Sequence, residues 1–530
     1  MGQFGRAPSK FGQSPNLKDS AVSELVTLPR NTNQVYGLAQ YALDFLADRF
    51  AEPGDRAYRR VEQFHLDSIA CGVSALACAT NAPTLLRREA LQYAVNQDAP
   101  RDFRGVPIFG SRVRVMPEKA VVANSSAVRE WDSNGTNFGY DPAHGHTAGE
   151  FGHNDFYPVA VAAAQLAGFD GRSTLKAMLL LDEIRGRLAE VFSLKTYKID
   201  HVVHGAIASA IVYSAVLGAT VAEIESAVGL VVAHYIPFRA IRHGKQLSDS
   251  KGASAAISSE VAVLSARRAM QGFVGPADIF RNVEAIFCLF EKPANYGESP
   301  FDLSLGTSGD EFCILGMHFK IGLYEHQSAG AIQGLIDLLV ANPNLLDDEA
   351  KLRRIAITIY EPAFGIIGDP SKRDPRTRQS ADHSMVYIIA TLLRKALEQR
   401  QAGWRELMLL PVDYDEDALG HPLTRSLIER IDFRHGGPEY DALYPDGIPT
   451  SVDIEHAVLG TLAGELVMYP EGHARNTSGN LPSLLQYKFR RLASLGVDDV
   501  TALEARFTNM RVRSSEEIRS LYDFQIRGVT

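Results

Sequence analysis

The sequence predicts a mainly α protein, a large all-helical domain joined to a smaller α+β domain. Three observations carry this reading. Apolar residues recur with a 3.6-residue period from about Gln34 to Ile286. The helical faces are rich in small residues, as in Gly205-Ala206-Ile207-Ala208-Ser209-Ala210, which suits stacked helices at close approach. Strand-like alternation begins only beyond residue 310.

Taken in order, Met1 to about Asn33 carries Arg6, Lys10 and Lys18 with no acid before Asp19. Its Gly, Pro and Asn content spoils any amphipathic helix, so residues 1–33 read as a disordered tail and not as a targeting segment. Helices are expected at Leu38–Phe50, Tyr58–Leu76, Thr174–Leu194, His204–Leu217 and Ala253–Gln271. No Gly-x-Gly-x-x-Gly follows a strand and no Walker-type loop is present. After residue 310, Leu352–Ile359 alternates as a strand, Ser384–Leu397 returns to helix, and Ser451–His456 with Gly464–Tyr469 suggests a hairpin around Leu459-Gly460-Thr461. The boundaries that follow are a helical domain at 34–310, an α+β domain at 311–475, and helices within 476–530 that pack back onto the first domain.

A net charge of −9 and the lack of any Lys/Arg-rich run argue against nucleic acid as a partner. No apolar run approaches the roughly 18 residues of a membrane span, so no membrane partner is expected. The four cysteines form no Cys-x-x-Cys pair; Cys71 and Cys78 read as small core residues. This suggests a reducing compartment, with the cytoplasm expected, or the mitochondrial matrix in a eukaryotic cell. In an acidic chain, an anionic substrate needs a local cluster of cations.

Four islands carry polar residues that neither periodicity nor turns explain. The densest is the glycine-rich stretch 129–158, with Asp132, Thr136, His144, His146, Glu150, His153 and Asp155 between Ala-rich segments at 120–128 and 159–168. The second is 197–204, where His201 precedes a small-residue helix and His204 falls on that helix as a core residue. The third, 239–251, concentrates Arg239, Arg242, His243, Lys245 and Lys251, a set suited to a polycarboxylate or phosphate. The fourth, 320–326, holds Lys320 and His326, and histidine can act as acid or base near neutrality. His144-x-His146-x3-Glu150 matches the core of cupin metal sites, with His153 as a further ligand. Cupin ligands sit on barrel strands, whereas these flanks are helical, so no metal is expected.

Together the islands resemble the MmgE/PrpD family, which includes 2-methylcitrate dehydratases and cis-aconitate decarboxylases. Asp132-Ser-Asn-Gly135-Thr136 and Gly152-His153-Asn154-Asp155 stand where the family has Asp-x-x-Asp-Thr and Gly-His-Pro-Ser-Asp. Ile199-Asp200-His201, Ile241-Arg242-His243 followed by Ser250-Lys251, and Lys320 through His326-Gln327-Ser328 match further segments. So do Asp382-His383-Ser384-x-x-Tyr387 and Tyr469-Pro470-x-Gly472-His473-Ala474-Arg475. The resemblance spans about residues 35–520. Three departures stand out: Gly135 replaces an Asp, an insertion carries His144 and His146, and the Pro-Ser after the motif histidine is missing.

The resemblance implies that the α+β domain is a lid over a cleft, that the protein is a homodimer, and that it eliminates water from a hydroxy-tricarboxylate without a cofactor. It implies proton transfer or substrate contact for His153, His201 and His326, and carboxylate binding by Lys251, Lys320 and Arg242. Asp132 would be a base or histidine-orienting group, Thr136 a hydrogen-bond donor, and Tyr360 a looser match. A cis-aconitate-type decarboxylase or an isomerase of a related polycarboxylate, using the same residues, and a non-catalytic carboxylate-binding protein are the alternatives.

Overall fold

The computed structural model describes residues 25–96, 104–136, 154–243, 246–367 and 370–529. The fold is mainly α, with a small sheet in the C-terminal part. At the centre of the helical part, every residue of Val202–Val216 is buried. Helices Gly171–Val191, Val221–His234 and Asp249–Met270 surround it. Close approach is what the small residues permit: a Cβ on Gly205 would lie 2.1 Å from Cζ of Phe156. Asp170 and Thr220 cap two of these helices by accepting from backbone N–H groups at their first turns.

The expected helices form within a few residues of their predicted bounds, as Gln34–Leu46, Asp55–Ala77, Gly171–Val191, Val202–Val216 and Asp249–Met270. The predicted strand forms as Leu352–Ile359. It lies inside a four-stranded sheet, parallel to Ile431–His435 (Ile355 opposite Ile431) and antiparallel to Thr450–His456 (Ile355 opposite Ile454). Ile431–His435 and Gly460–Ala463 are the two outer strands. Helix Ala329–Ala341 packs on Thr450–His456, and C-terminal helices Leu481–Ala493 and Val500–Phe507 pack on Asp55–Ala77.

Three sequence expectations are corrected. Leu25–Leu28, placed in the tail, is a strand paired antiparallel with Leu303–Gly306, which supplies the partner that local sequence could not reveal. The hairpin turns earlier than expected, because Gly460, at positive φ, starts the return strand instead of sitting in the turn. Cys78 is exposed, since helix Asp55–Ala77 ends just before it; Cys71 is buried.

Candidate active site

Helix Pro117–Arg129 ends in a buried polar corner, and Asp132 follows it. Its carboxylate is the hub. Lys320 Nζ donates to it, and the His383 Nε2, Arg129 guanidinium and Lys251 Nζ lie 2.9, 3.3 and 3.7 Å away. Burial would raise the Asp132 carboxyl, yet Lys320, Arg129, His383 and Lys251 hold it well below the usual carboxylate range. A second carboxylate mirrors it: Asp382 takes Lys251 Nζ at 3.0 Å, His383 Nδ1 at 2.7 Å and Arg378 at 3.2 Å. His383 and Lys251 therefore each bridge the two acids.

Lys251 occupies the first turn of helix Asp249–Met270, where the helix dipole disfavours a cation. Burial pushes its ammonium down to about 8 even though Asp382 and Asp132 pull the other way. Arg242 donates to Asp200 and to Ser254 Oγ at 3.0 Å. Burial would raise Asp200, but Arg242 drives it below the ordinary range. His201 lies beside the same carboxylate, its Nδ1 3.7 Å from Asp200, and burial takes its imidazole well below the usual range. His326 falls to about 3 through burial, with Lys320 and His473 adding to the effect.

One cavity brings Asp132, His201, Arg242, Lys251, Lys320 and His326 together. Its described lining comes from both parts of the chain, with Arg129, His201 and Arg239 from the helical part and Gln327, Ile366, Ile367 and His383 from the part that carries the sheet. Six described cations line it (Arg129, Arg239, Arg242, Lys251, Lys320, Lys372) against two carboxylates, Asp132 and Glu325. Helices also begin at Val202, Asp249, Ala329 and Met385, beside His201, Lys251, His326 and His383, and helix N-termini favour negative charge.

Two expected residues lie elsewhere. Thr136 is not on the described wall: its backbone pairs with His318 in both directions at 2.9 Å, and its Oγ1 is buried without a hydrogen-bond partner among the described residues. Tyr360 is fully buried at the end of a central strand, stacked on Tyr444 with ring centroids 4.6 Å apart, and does not reach the cavity. His144, His146, Glu150 and His153 lie outside the described residues. Asp155 sits between Arg129 (3.6 Å) and Arg185 (3.9 Å), and His204 is a core residue with Nε2 2.9 Å from the Phe192 carbonyl oxygen.

Arg129, Glu325, Lys372 and the Asp382–His383 pair escape residue-by-residue reading. Arg129 and Glu325 fall inside the polar stretches 129–158 and 320–326, and the motif Asp382-His383-Ser384 does not say that His383 reaches across to Asp132.

The departure at Gly135 has a steric cause. A Cβ there would lie 2.3 Å from Cε1 of Phe64, whose ring stacks on Phe319 at 3.9 Å. Asn154, where the motif has Pro, accepts from Gly135 N–H at 2.7 Å and donates to Phe64 O and Ser68 Oγ. Gly135→Asp is expected to destabilise the protein by at least about 1–3 kcal/mol through overpacking, read by denaturant unfolding. An unchanged midpoint would refute this account.

Asp132, Asp382 and His383 present ligand atoms close enough together for a metal ion. Lys251, Lys320, Arg129 and Arg378 already crowd those carboxylates, and a dication would have to displace them or face their repulsion. The donor set does not suit a metal.

The MmgE/PrpD N-terminal domain model matches residues 37–298, and the MmgE/PrpD C-terminal domain model matches residues 326–510. The chain is similar to 2-methylcitrate dehydratase of Salmonella typhi, 24% identical over 395 residues, covering 73% of this chain and 77% of that protein. The Escherichia coli (strain K12) 2-methylcitrate dehydratase is 25% identical over 396 residues, with coverage of 73% and 77%. That of Cupriavidus necator is 25% identical over 444 residues, covering 82% and 85%.

Proposed function

This chain belongs to the MmgE/PrpD family, and from that premise we propose that it is a hydro-lyase that removes water from a hydroxy-tricarboxylate, as its relatives' name 2-methylcitrate dehydratase describes. The observation that carries the reading is the cavity's excess of cations in a chain of net charge −9. A polycarboxylate is repelled by the protein as a whole and is stabilised only where such a cluster is concentrated.

Lys320, Arg242 and Arg129 hold the substrate carboxylates and stabilise the negative charge that grows on the one next to the reacting carbon. His326 is the base. Its two ring nitrogens are buried and have no hydrogen-bond partner among the described residues, so a lone pair is available at the cavity wall. It takes the C–H proton; the C–H electron pair becomes the new double bond, and the C–O bond breaks. Lys251 gives its proton to the departing hydroxide, which leaves as water. An ammonium near 8 is well matched to that task at neutral pH. His201 contacts substrate beside Arg242, and Asp132 orients Lys320, Lys251 and His383.

Incubation with 2-methylcitrate, citrate and cis-aconitate tests this. Alkene absorbance rising with a hydroxy-tricarboxylate is the expected result. CO2 released from cis-aconitate without that rise would make the protein a decarboxylase, and no reaction with any of the three would leave a binding protein. Turnover should survive exhaustive EDTA treatment. Loss that zinc or iron restores would make ligands of His144, His146 and Glu150, or of the Asp132–Asp382–His383 group.

A further inference from the structure

We propose that His318 and His473 are positioning residues that hold the His326 imidazole in its reactive orientation through a stack of three histidine rings. The inference rests on the reading of His326 as the base. The His318 and His326 centroids are 5.0 Å apart with planes 15° from parallel, and those of His318 and His473 are 3.9 Å apart at 22°. All three side chains are buried. The nearly parallel stack joins the segment that carries His318 and His326 to the distant turn that carries His473.

The outer two rings are fixed by backbone amides. Ala474 N–H donates to His318 Nδ1 at 2.9 Å, and Arg475 N–H donates to His473 Nδ1 at 3.1 Å. A nitrogen that accepts carries no proton, so each of these rings is a neutral imidazole with its hydrogen on Nε2. His326 differs. It has no hydrogen bond to either ring nitrogen among the described residues, so packing must orient it, and His318 stacks on it. Main-chain bonds hold the segment that carries His318 to its neighbours. His318 pairs with Thr136, and Phe319 N–H donates to Gly472 O at 2.8 Å. Gly472 adopts positive φ, and a Cβ there would meet Phe319 O at 2.3 Å, so the turn carrying His473 is held tightly against the segment carrying His318.

The arrangement also suits the proton transfer. When His326 takes the substrate proton it becomes a cation, facing Lys320, Asp132, His318 and His473. The π face of a neutral imidazole tolerates that charge, whereas a protonated neighbour would oppose it. Burial keeps His318 from charging first, with His473, His326, Arg60 and Arg475 adding to the effect.

The test combines kinetics with NMR on the full chain labelled with 15N-histidine. His318→Ala is expected to lower kcat about 10- to 100-fold, the scale of a misplaced reacting group, with KM changed by less than about threefold. The acid limb of its pH profile should shift as well. His318→Phe, which keeps a flat ring against His326, should recover most of the lost kcat. In the unsubstituted protein, His318 and His473 should give the signals of neutral Nε2–H rings across neutral pH. Unchanged kcat and pH profile in folded His318→Ala would overturn the proposal if His326→Ala is inert. So would imidazolium or Nδ1–H signals from His318 or His473. An active His326→Ala would instead reject the base assignment, and with it the role of the stack. If the unsubstituted protein turns over no hydroxy-tricarboxylate, the proposed activity fails, and the NMR signals still decide whether the neutral stack exists.

Discussion

Lys251→Ala is expected to lower kcat/KM by about 100-fold or more, the scale of one charge-assisted donor lost where charge develops in a transition state. Lys251 is 1% exposed and lies between the two site carboxylates. The substitution does not strand those acids. Asp382 keeps His383 at 2.7 Å and Arg378 at 3.2 Å, while Asp132 keeps Lys320, Arg129 and His383. Stability should therefore fall much less than activity. Near-normal kinetics in folded Lys251→Ala would remove Lys251 from the mechanism.

The pH dependence separates proton donation by Lys251 from carboxylate binding, which the family resemblance also implies for it. The Lys251 ammonium faces Asp132, Asp382, Arg129 and Arg378, and burial places it at about 8. Below that pH it is charged and can both bind a carboxylate and give up a proton; as pH rises through about 8 both capacities are lost. Activity should therefore have a descending limb near pH 8. Lys251→Arg keeps a charge that does not titrate there but cannot serve as the acid. It should restore much of KM and little of kcat. Equal recovery of both would show that Lys251 only binds.

The helical architecture was legible because burial imposes a 3.6-residue period, and Leu352–Ile359 was legible because it alternates. Leu25–Leu28 was not, since a four-residue strand is defined by its partner at Leu303–Gly306. The same division runs through the site. His201, Lys251, Lys320 and His326 stood out as polar residues that no periodicity required, and all four reach the cavity. Arg129 closes a helix whose last residues looked like ordinary core, and His383 acquires its place by bridging Asp132, more than two hundred positions earlier. Tyr360 failed for a related reason. A loose family match at a strand end does not determine which way the side chain packs, and Tyr444 captured it.

Lys488 is the residue that sequence patterning hid most completely, and Lys488→Met is expected to destabilise the protein by about 3–5 kcal/mol, the usual result of breaking a buried ion pair from one side. Its side chain is wholly buried on helix Leu481–Ala493. Its three donors reach Asp67 Oδ1 at 2.6 Å, Ser133 O at 2.7 Å and Lys320 O at 2.8 Å. One ammonium thus ties the C-terminal helix to helix Asp55–Ala77 and to both backbone segments that carry Asp132 and Lys320. Burial already raises the Asp67 carboxyl, and Lys488 opposes that rise. Without the lysine, the folded-state pKa climbs further above its unfolded value. A group shifted in that direction favours the folded state when protonated, and that contribution is lost as pH rises through the folded pKa. The penalty of Lys488→Met should therefore be largest near and above neutrality and shrink towards acid. Removing the stranded charge as well, in Lys488→Met with Asp67→Leu, should recover a substantial part of the loss but not all of it, because the Ser133 and Lys320 carbonyls still lack their donor. Denaturant unfolding of the three proteins at neutral and acid pH measures each of these differences. A penalty under about 1 kcal/mol at neutral pH, or one that grows towards acid, would show that Lys488 does not hold the site together in this way.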